Sequence, residues 1–192
     1  MQTTPKDKIL CYEKRGWWSN ETLISILNAN LKENPDQEAL IDPPNRSSMV
    51  GGEVQRLSFR EIDRLSDKLA HILYDLGLRQ GDKAVVQMPN VVEIVLTYFA
   101  AGKLGLVLSP VAMQYRRFEL TYIDETLLPK AYIAFEDFSS DNYGRANSEC
   151  FRKECQSIIL DGGDWSSQEV DNWSSFRFYL RTRKIDANDI FT

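Results

Sequence analysis

Only a few residues in this sequence combine a charged side chain with a position that suggests ligand chemistry. Arg116 and Arg117 begin a predicted helix just after a strand, where a positive pair can meet an anion. The run Asp161-Gly-Gly-Asp164 follows another predicted strand, and two adjacent glycines can form a backbone nest for an anion. A solvated helix start is the favoured interpretation of the arginine pair, and a plain turn is the favoured interpretation of the glycine pair.

The single histidine and the paired tryptophans also have simpler interpretations. His71 shares a helix face with charged residues and lies opposite the leucines, which predicts a solvated side chain without a catalytic role. Trp17 and Trp18 could stack on a ligand, but they follow Gly16 in an N-terminal segment. Because aromatic residues in such a segment usually attach it to the body of a domain, we expect them to be anchors.

Motifs that cradle a phosphate or expose a nucleophile on a tight turn are absent from the 192 residues. The sequence has no G-x-G-x-x-G, no G-x-x-x-x-G-K-[ST] and no G-x-S-x-G. The three cysteines form no C-x-x-C pair, and one histidine does not complete a metal site with them, so we expect free thiols. No residue is therefore assigned a catalytic or metal-binding role.

The composition excludes two classes of partner. The chain has 23 Lys and Arg against 28 Asp and Glu, and this net charge of −5 has the wrong sign for binding a nucleic-acid backbone. The first ten residues lack the apolar core of a secretory signal, and the most apolar stretch, 91–108, is interrupted by Glu93 and Lys103. We expect a cytoplasmic protein with neither a nucleic-acid nor a membrane partner.

Turn residues and hydrophobic periodicity divide the chain into elements. The runs 38–42 and 55–59 flank a stretch rich in Pro and Gly and predict a β-hairpin. Ser58 and Glu61 form a capping box before apolar residues spaced by three and four. This pattern predicts an amphipathic helix that ends at Gly77.

Beyond Gly81 short apolar runs alternate with connections long enough for helices. The predicted strands are 83–88, 106–109, 131–135 and 157–160. The predicted helices are 91–104, which Asn90 caps and which should be covered on most sides, then 117–127, 148–156 and 174–180, with 136–147 irregular. Strand–helix–strand units of this spacing predict an α/β fold, a three-layer and mainly parallel sheet with helices on both faces, plus the N-terminal hairpin.

The order of several short motifs resembles the N-terminal part of the AMP-dependent synthetase and ligase superfamily, the acyl-CoA synthetases and adenylate-forming enzymes. The motifs are G-W-W (16–18), P-D-Q-E-A-L-I (35–41), L-S-F-R-E-I (57–62), L-G-L-R-Q-G-D-K-A-V-V-Q-M-P-N (76–90), Y-F-A-A-G-K-L-G (98–105) and Y-R-R-F-E-L (115–120). The G-W-W opening and the stretch Q-M-P-N-V-V-E are most similar to the aryl-acid adenylating and cyclohexanecarboxylate-CoA ligase-like branch.

This resemblance implies a reaction for the complete enzyme. Members of the superfamily use Mg-ATP to convert a carboxylic acid to an acyl-adenylate, and many then pass the acyl group to the thiol of CoA or of a carrier protein. ATP, Mg and CoA are therefore the implied cofactors, and the acid and the thiol are the implied partners. By position, Met113 and Gln114 match small residues that line the CoA or pantetheine channel in CoA-using members, although here both side chains are larger.

The resemblance also implies a division of the chain and a role for it. Residues 1–35 would be an N-terminal anchoring segment, 36–160 an αβ core, and 161–192 a segment leading to an ATP-binding loop of the type T-S-G-T-T-G-x-P-K, which the sequence does not contain. In the superfamily the Mg-binding Glu and the catalytic Lys come after that loop. We therefore expect an inactive N-terminal portion that binds no cofactor by itself and that exposes surfaces able to form a homodimer.

Two alternatives of other classes stay open. The first is a stand-alone, non-catalytic α/β module for binding or dimerisation, because the same architecture serves many functions. The second is a flavodoxin-like nucleotide-binding domain that uses the strand ends near Ser109 and Asp161, and the lack of a Gly-rich loop opposes it. A reading frame that continues past Thr192 into a Gly- and Thr-rich loop would favour the ligase.

Overall fold

Helices and short strands alternate along the chain in the computed structural model, which describes residues 4–139, 141–160, 164–166, 173–183 and 185. The helices are α1 (Lys6–Lys14), α2 (Leu23–Glu33), α3 (Arg46–Met49), α4 (Phe59–Asp75), α5 (Val92–Leu104), α6 (Arg117–Leu127), α7 (Tyr143–Ser148) and α8 (Trp173–Thr182). The strands are β1 (Glu38–Ile41), β2 (Arg56–Ser58), β3 (Lys83–Gln87), β4 (Val107–Pro110), β5 (Ala131–Phe135), β6 (Asp137–Phe138), β7 (Asp141–Asn142) and β8 (Gln156–Leu160).

A four-stranded parallel sheet forms the centre of the fold. Its strand order is β4-β3-β5-β8, and each neighbouring pair is parallel. The register places Val85 beside Ser109 on one side and beside Tyr132 on the other. Strand β5 is buried along its whole length, as expected for an inner strand that is covered on both faces. The four predicted parallel strands are confirmed.

Helices cover both faces of this sheet. On one face α4 and α5 pack against each other, and Leu69 and Leu96 share a core cluster there with Ile133. The preceding residue of β5, Tyr132, points to the opposite face and packs with Leu120 of α6 and with the segment after α7. The fold is therefore the predicted three-layer α/β arrangement. No helix among the described residues is long and apolar enough to cross a bilayer.

The predicted hairpin and the helix that follows it are both present. Strands β1 and β2 pair antiparallel, with Ile41 opposite Arg56. At the start of α4 the Glu61 N–H donates to Ser58 Oγ at 3.3 Å, and the Ser58 N–H donates to the Glu61 carboxylate at 2.8 Å. The hydrogen bond from the Ser58 backbone is the main reason that the pKa of Glu61 is lowered. The capping box therefore starts α4 where the sequence predicts.

Helix α5 is as buried as predicted but begins with a different cap. The residue before its first turn is Val91, whose side chain makes no capping hydrogen bond. The Val92 N–H instead donates to Oδ1 of Asp42 at 2.8 Å. The prediction of Asn90 as the N-cap is wrong, because the hairpin supplies an acceptor that a local pattern does not reveal.

The segment after β5 is more regular than the sequence predicts. Strands β6 and β7 pair antiparallel, and α7 comes before the predicted helix 148–156 instead of within it. Helix α7 starts early because the N–H groups of Tyr143 and Gly144 donate to the Glu136 carbonyl at 2.8 and 2.9 Å. Residues 149–155 form turns and bends rather than a helix. Contacts with the end of β5 thus override the local helix signal.

The N-terminal tryptophans do not anchor their segment to the body of the domain. The side chain of Trp17 is 63% exposed and that of Trp18 is 40% exposed. Both rings pack on Tyr12 of the same segment, with ring centroids 5.8 and 5.1 Å apart. The anchoring prediction is wrong because Gly16, at a left-handed φ of 69°, turns the chain so that the rings fold back onto α1.

Candidate functional site

The carboxyl ends of β3 and β5 are the place where a sheet of this topology most often binds ligands. From β3 the chain continues to β4 on one side and then to β5 on the other, so the direction of the connections reverses between β3 and β5, and this switch point is where such sheets usually bind ligands. Gln87 is the last residue of β3 and Phe135 the last of β5. The polar side chains around Gln87 are therefore the candidate site.

Gln87 is completely buried, and its amide nitrogen faces a loop. Nε2 donates to the carbonyl oxygens of Ala112 and Tyr115 at 2.9 and 3.2 Å. A third contact, also 3.2 Å, joins Nε2 to the hydroxyl of Tyr143. Because a backbone carbonyl can only accept, these two partners fix which side of the amide is nitrogen.

The oxygen of the same amide is held from the sheet and from α7. Gln87 Oε1 accepts from the Tyr132 hydroxyl at 2.7 Å and from Nδ2 of Asn147 at 3.0 Å. Burial raises the pKa of Tyr132, so its hydroxyl stays protonated and can donate. Every donor and acceptor of the Gln87 amide has a partner, and this offsets the cost of burying it.

Arg116 covers the network from the solvent side. Its Nη1 donates to the carbonyl oxygens of Met113 and Tyr115 at 2.7 and 2.9 Å, and to the Tyr143 hydroxyl at 2.6 Å. The guanidinium lies over the Tyr143 ring, 4.5 Å from its centroid. Burial raises the pKa of Tyr143, although Arg116 opposes that shift. Both arginines are exposed, but the Arg116 guanidinium is engaged by the two carbonyls and Tyr143, so the pair is not arranged around a common anion site.

The predicted channel residues lie in the loop that Gln87 and Arg116 hold. This segment, which we call the 111–116 loop, joins β4 to α6 and carries a half-buried Met113 and an exposed Gln114. It continues the sheet for one residue, because the Val111 N–H donates to the Val86 carbonyl at 2.9 Å. Met113 and Gln114 thus lie at the carboxyl edge of the sheet. The channel that they border remains a prediction.

The groups that converge on Gln87 can position a loop or a ligand, but none of them is suited to acid–base or nucleophilic chemistry. They are an amide, two phenols and a guanidinium. Burial raises the pKa of both phenols, so neither acts as a base near neutral pH. Among the residues that the structure describes, no cluster of three His, Cys, Asp or Glu side chains could hold a metal ion.

A buried ionic cluster that the sequence analysis missed fixes the start of α5. Arg46 makes a bidentate pair with Glu93, at 2.7 and 2.8 Å, and a third bond of 3.0 Å with Asp42. Burial acts to lower the pKa of Arg46, but the two carboxylates outweigh it and the pKa is raised. A signal was available, because a carboxylate within an almost continuous apolar helix such as α5 requires a buried partner.

His71 is buried rather than solvated. Its ring stacks on Phe176 of α8 with centroids 4.6 Å apart and meets Trp173 edge-on at 4.5 Å. Neither ring nitrogen has a hydrogen-bond partner among the described residues, and the Asp75 carboxylate lies 3.5 Å from Nε2. The sequence prediction is wrong because α8 returns across α4 and covers the face that the helical pattern leaves polar. The glycine pair at 162–163 lies outside the described residues.

The geometry alone does not identify a protein family, but comparison with known proteins does. A family described as AMP-binding enzyme matches residues 27–192. The chain belongs to that family. Pseudomonine synthase PmsE of Pseudomonas entomophila (strain L48) is 34% identical over 163 residues, which cover 83% of this chain and 25% of the relative. Enterobactin synthase component E of Escherichia coli (strain K12) is 32% identical over 176 residues, or 88% of this chain and 30% of the relative.

A third relative and a solved structure agree with this assignment. The salicyl-AMP ligase / salicyl-S-ArCP synthetase of Mycobacterium tuberculosis (strain ATCC 25618 / H37Rv) is 31% identical over 103 residues, 54% of this chain and 17% of the relative. The structure of VinN with L-aspartate superposes on this chain with a TM-score of 0.65 at 17% identity. The superposition covers 88% of this chain and 42% of VinN, and it shows the shared fold. The chain spans between 17% and 30% of the length of the three sequence relatives.

Proposed function

We propose that this chain is the N-terminal subdomain of an AMP-forming carboxylic acid ligase. The family match over residues 27–192 carries the proposal. Residues 1–35 form its N-terminal segment, 36–160 its αβ core, and 161–192 the segment that connects the core to an ATP-binding loop. The parallel sheet of 36–160, which resembles that of VinN, supports this division.

The reaction proposed for the complete enzyme has two steps. A carboxylate oxygen of the acid attacks the α-phosphorus of Mg-ATP, which gives an acyl-adenylate and releases pyrophosphate. The thiol of CoA or of a carrier protein then attacks the acyl carbon, a thioester forms, and AMP leaves with the bonding electron pair. An aryl acid is the proposed substrate class, since the relatives include a salicyl-AMP ligase.

Within this reaction the 192 residues serve as a scaffold and do not catalyse either step alone. Holding a triphosphate needs an array of backbone N–H donors and a cation, and the sequence has no Gly-rich loop to provide them. The cation of the candidate site, Arg116, is already engaged by the 111–116 loop and Tyr143. Met113 and Gln114 contribute the edge of the channel that admits the acceptor thiol.

An exposed aromatic face on α6 supports a scaffold that packs against further structure. The side chains of Phe118 and Tyr122, one turn apart, are 85% and 66% exposed. A contiguous exposed patch of large side chains often marks a surface on which a partner or further structure packs. The same face favours the alternative of a stand-alone dimerisation module, in which a second copy covers it. Sedimentation of the chain beside the double variant Phe118→Ser/Tyr122→Ser separates these cases, since only a dimer on this face would dissociate.

The proposal is tested with the product of the complete reading frame that contains these residues. We expect the frame to continue past Thr192 into a Gly- and Thr-rich loop. We also expect the product to form a thioester from an aromatic acid, ATP and either CoA or a carrier protein. A stop codon directly after Thr192, or a product without adenylate formation from aromatic, alicyclic and aliphatic acids, would overturn the ligase assignment.

A further inference from the structure

We propose that Gln87 is a positioning residue that sets the conformation of the 111–116 loop, and through it the placement of Met113 and Gln114. The catalytic consequence of this inference rests on the proposed function, but its structural content does not. The hydrogen bonds of Gln87 do not go to the side chains of Met113 and Gln114. It contacts the backbone of the loop that carries them, through Ala112 and Tyr115.

The conformation of the loop depends on side-chain donors. The 111–116 loop is neither helix nor strand, so its carbonyl groups lack the regular partners of those elements. The carbonyls of Ala112 and Tyr115 accept from Gln87, and those of Met113 and Tyr115 accept from Arg116. Of these two donors, Gln87 belongs to the central sheet and Arg116 belongs to the loop itself.

Gln87 is in turn held rigidly enough to act as a reference point. Its backbone belongs to β3, the strand between β4 and β5, and the carbonyl before it binds the N–H of Val111. Its side-chain oxygen is fixed by Tyr132 from β5 and by Asn147 from α7. The position of the loop is therefore set by one amide that three separate elements orient.

Packing alone does not explain why an amide is buried at this position. An apolar residue of the same length would fill the space but would leave Tyr132, Asn147 and the two loop carbonyls without this partner. A fully satisfied buried network of this kind specifies one conformation. The specificity here concerns which backbone carbonyls of the loop face inward. Replacing the nitrogen by a group that cannot donate should thus release the loop while β3 remains in place.

The first experiment measures backbone hydrogen exchange of the 192-residue chain and of the variant Gln87→Met. The Tyr115 N–H, which donates to the Ala112 carbonyl at 3.1 Å, reports on the loop. We expect its exchange to be faster in the variant by about tenfold, the effect of losing one net hydrogen bond. Thr97→Val is the matched control, since Thr97 is also completely buried but its hydroxyl donates to Glu93 within α5. That control should leave Tyr115 unchanged.

Gln87→Glu is the second variant, for the case that Gln87→Met does not fold. It keeps an oxygen for Tyr132 and Asn147 and replaces the two N–H donors to the loop by at most the one O–H of a protonated carboxyl, so it should also accelerate exchange at Tyr115. Equal exchange rates at Tyr115 in a folded Gln87 variant and in the unchanged chain would overturn the positioning role. Acceleration of equal size throughout β3 and the loop would also overturn it, because that result indicates general destabilisation.

The second experiment uses the product of the complete reading frame and separates the two half-reactions. Gln87→Met should raise the KM for the acceptor thiol and leave ATP–pyrophosphate exchange within about twofold of the unchanged enzyme, a difference well below one hydrogen bond. Equal losses in both half-reactions would contradict an effect on the acceptor side. If the unchanged enzyme shows no exchange with any acid, the proposed function fails, and the hydrogen-exchange result alone then decides the positioning role.

Discussion

Asp42 caps helix α5 from the end of the hairpin, with its Oδ1 2.8 Å from the Val92 backbone nitrogen. Its other oxygen accepts from the Gln55 N–H and from Arg46, both at 3.0 Å. One carboxylate therefore joins three parts of the chain: the two sides of the hairpin loop and the start of the helix that follows β3. Because Gln87 ends β3 shortly before α5 begins, this cluster lies next to the candidate site along the chain.

Breaking the buried pair between Arg46 and Glu93 should be strongly destabilising. In Glu93→Gln the guanidinium loses its bidentate partner while it stays buried, and the free energy of unfolding should fall by about 3 kcal/mol. Urea denaturation measures this fall. The exposed pair of Arg60 and Asp36 provides a control, and Arg60→Gln should leave the midpoint almost unchanged. Equal shifts in the two variants would show that the Arg46 cluster is not desolvated.

Gly144 should not tolerate a side chain. A Cβ at this position would collide with the carbonyl oxygen of Phe135, because α7 starts directly against the end of β5. Gly144→Ala should lower the free energy of unfolding by about 2 kcal/mol and speed hydrogen exchange at the Tyr143 amide. Gly77→Ala is the comparison: it meets no atom within 4 Å and only strains a left-handed backbone, at about 1 kcal/mol. Normal exchange at Tyr143 in Gly144→Ala would contradict the proposed collision.

The stability of the chain should decrease with acid through His71. Burial lowers the pKa of His71 from its usual value of 6.5, and the nearby Asp75 carboxylate only partly opposes this. As the pH falls below 6.5, the unfolded chain takes up a proton that the folded chain resists. The contribution of His71 to the free energy of unfolding is therefore fully present above that pH. It is lost progressively as the pH falls toward the lowered pKa of the folded state.

Urea denaturation at several pH values checks this expectation. As the pH rises toward 6.5 the unfolding free energy should rise, and in His71→Phe that slope should be smaller. Phenylalanine keeps the stack on Phe176 and has no group that titrates, so the variant isolates the imidazole. An identical slope in both proteins would mean that other groups cause the pH dependence.

Gln114 should affect only the second half-reaction of the complete enzyme. Its side chain is exposed on the 111–116 loop, away from the buried contacts that hold the loop in place. Gln114→Ala should lower the rate of thioester formation and leave ATP–pyrophosphate exchange unchanged, because in the channel that we propose only the acceptor thiol passes this residue. Parallel assays of the two half-reactions measure the difference. Equal loss of both activities would reject a channel role for Met113 and Gln114.

The sequence predicts the elements whose signals are local. The alternation of short apolar runs with helical segments identifies the four parallel strands, and the capping box of Ser58 and Glu61 identifies the start of α4. Each of these depends on residues within a few positions of one another. The hairpin is also predicted, because each of its two β-prone runs is a local signal and turn residues lie between them.

The contacts of the candidate site could not be predicted in this way. In the sequence Gln87 is one residue within the predicted strand 83–88, and its partners at Ala112, Tyr143 and Asn147 are 25 to 60 residues away. The prediction that His71 is solvated is wrong for a related reason. It considers α4 alone, whereas α8 covers the polar face of that helix. Helical periodicity shows which face is polar but not what packs on it.

ATP–pyrophosphate exchange tests the scaffold role most directly. It is measured with aromatic, alicyclic and aliphatic acids, on the 192-residue chain and on the product of its complete reading frame. A scaffold without a phosphate-holding loop should give background exchange, and the complete product should exchange with at least one aromatic acid. Exchange by the 192-residue chain that a point substitution within it abolishes would contradict the scaffold role. It would show that these residues contain an active site of their own.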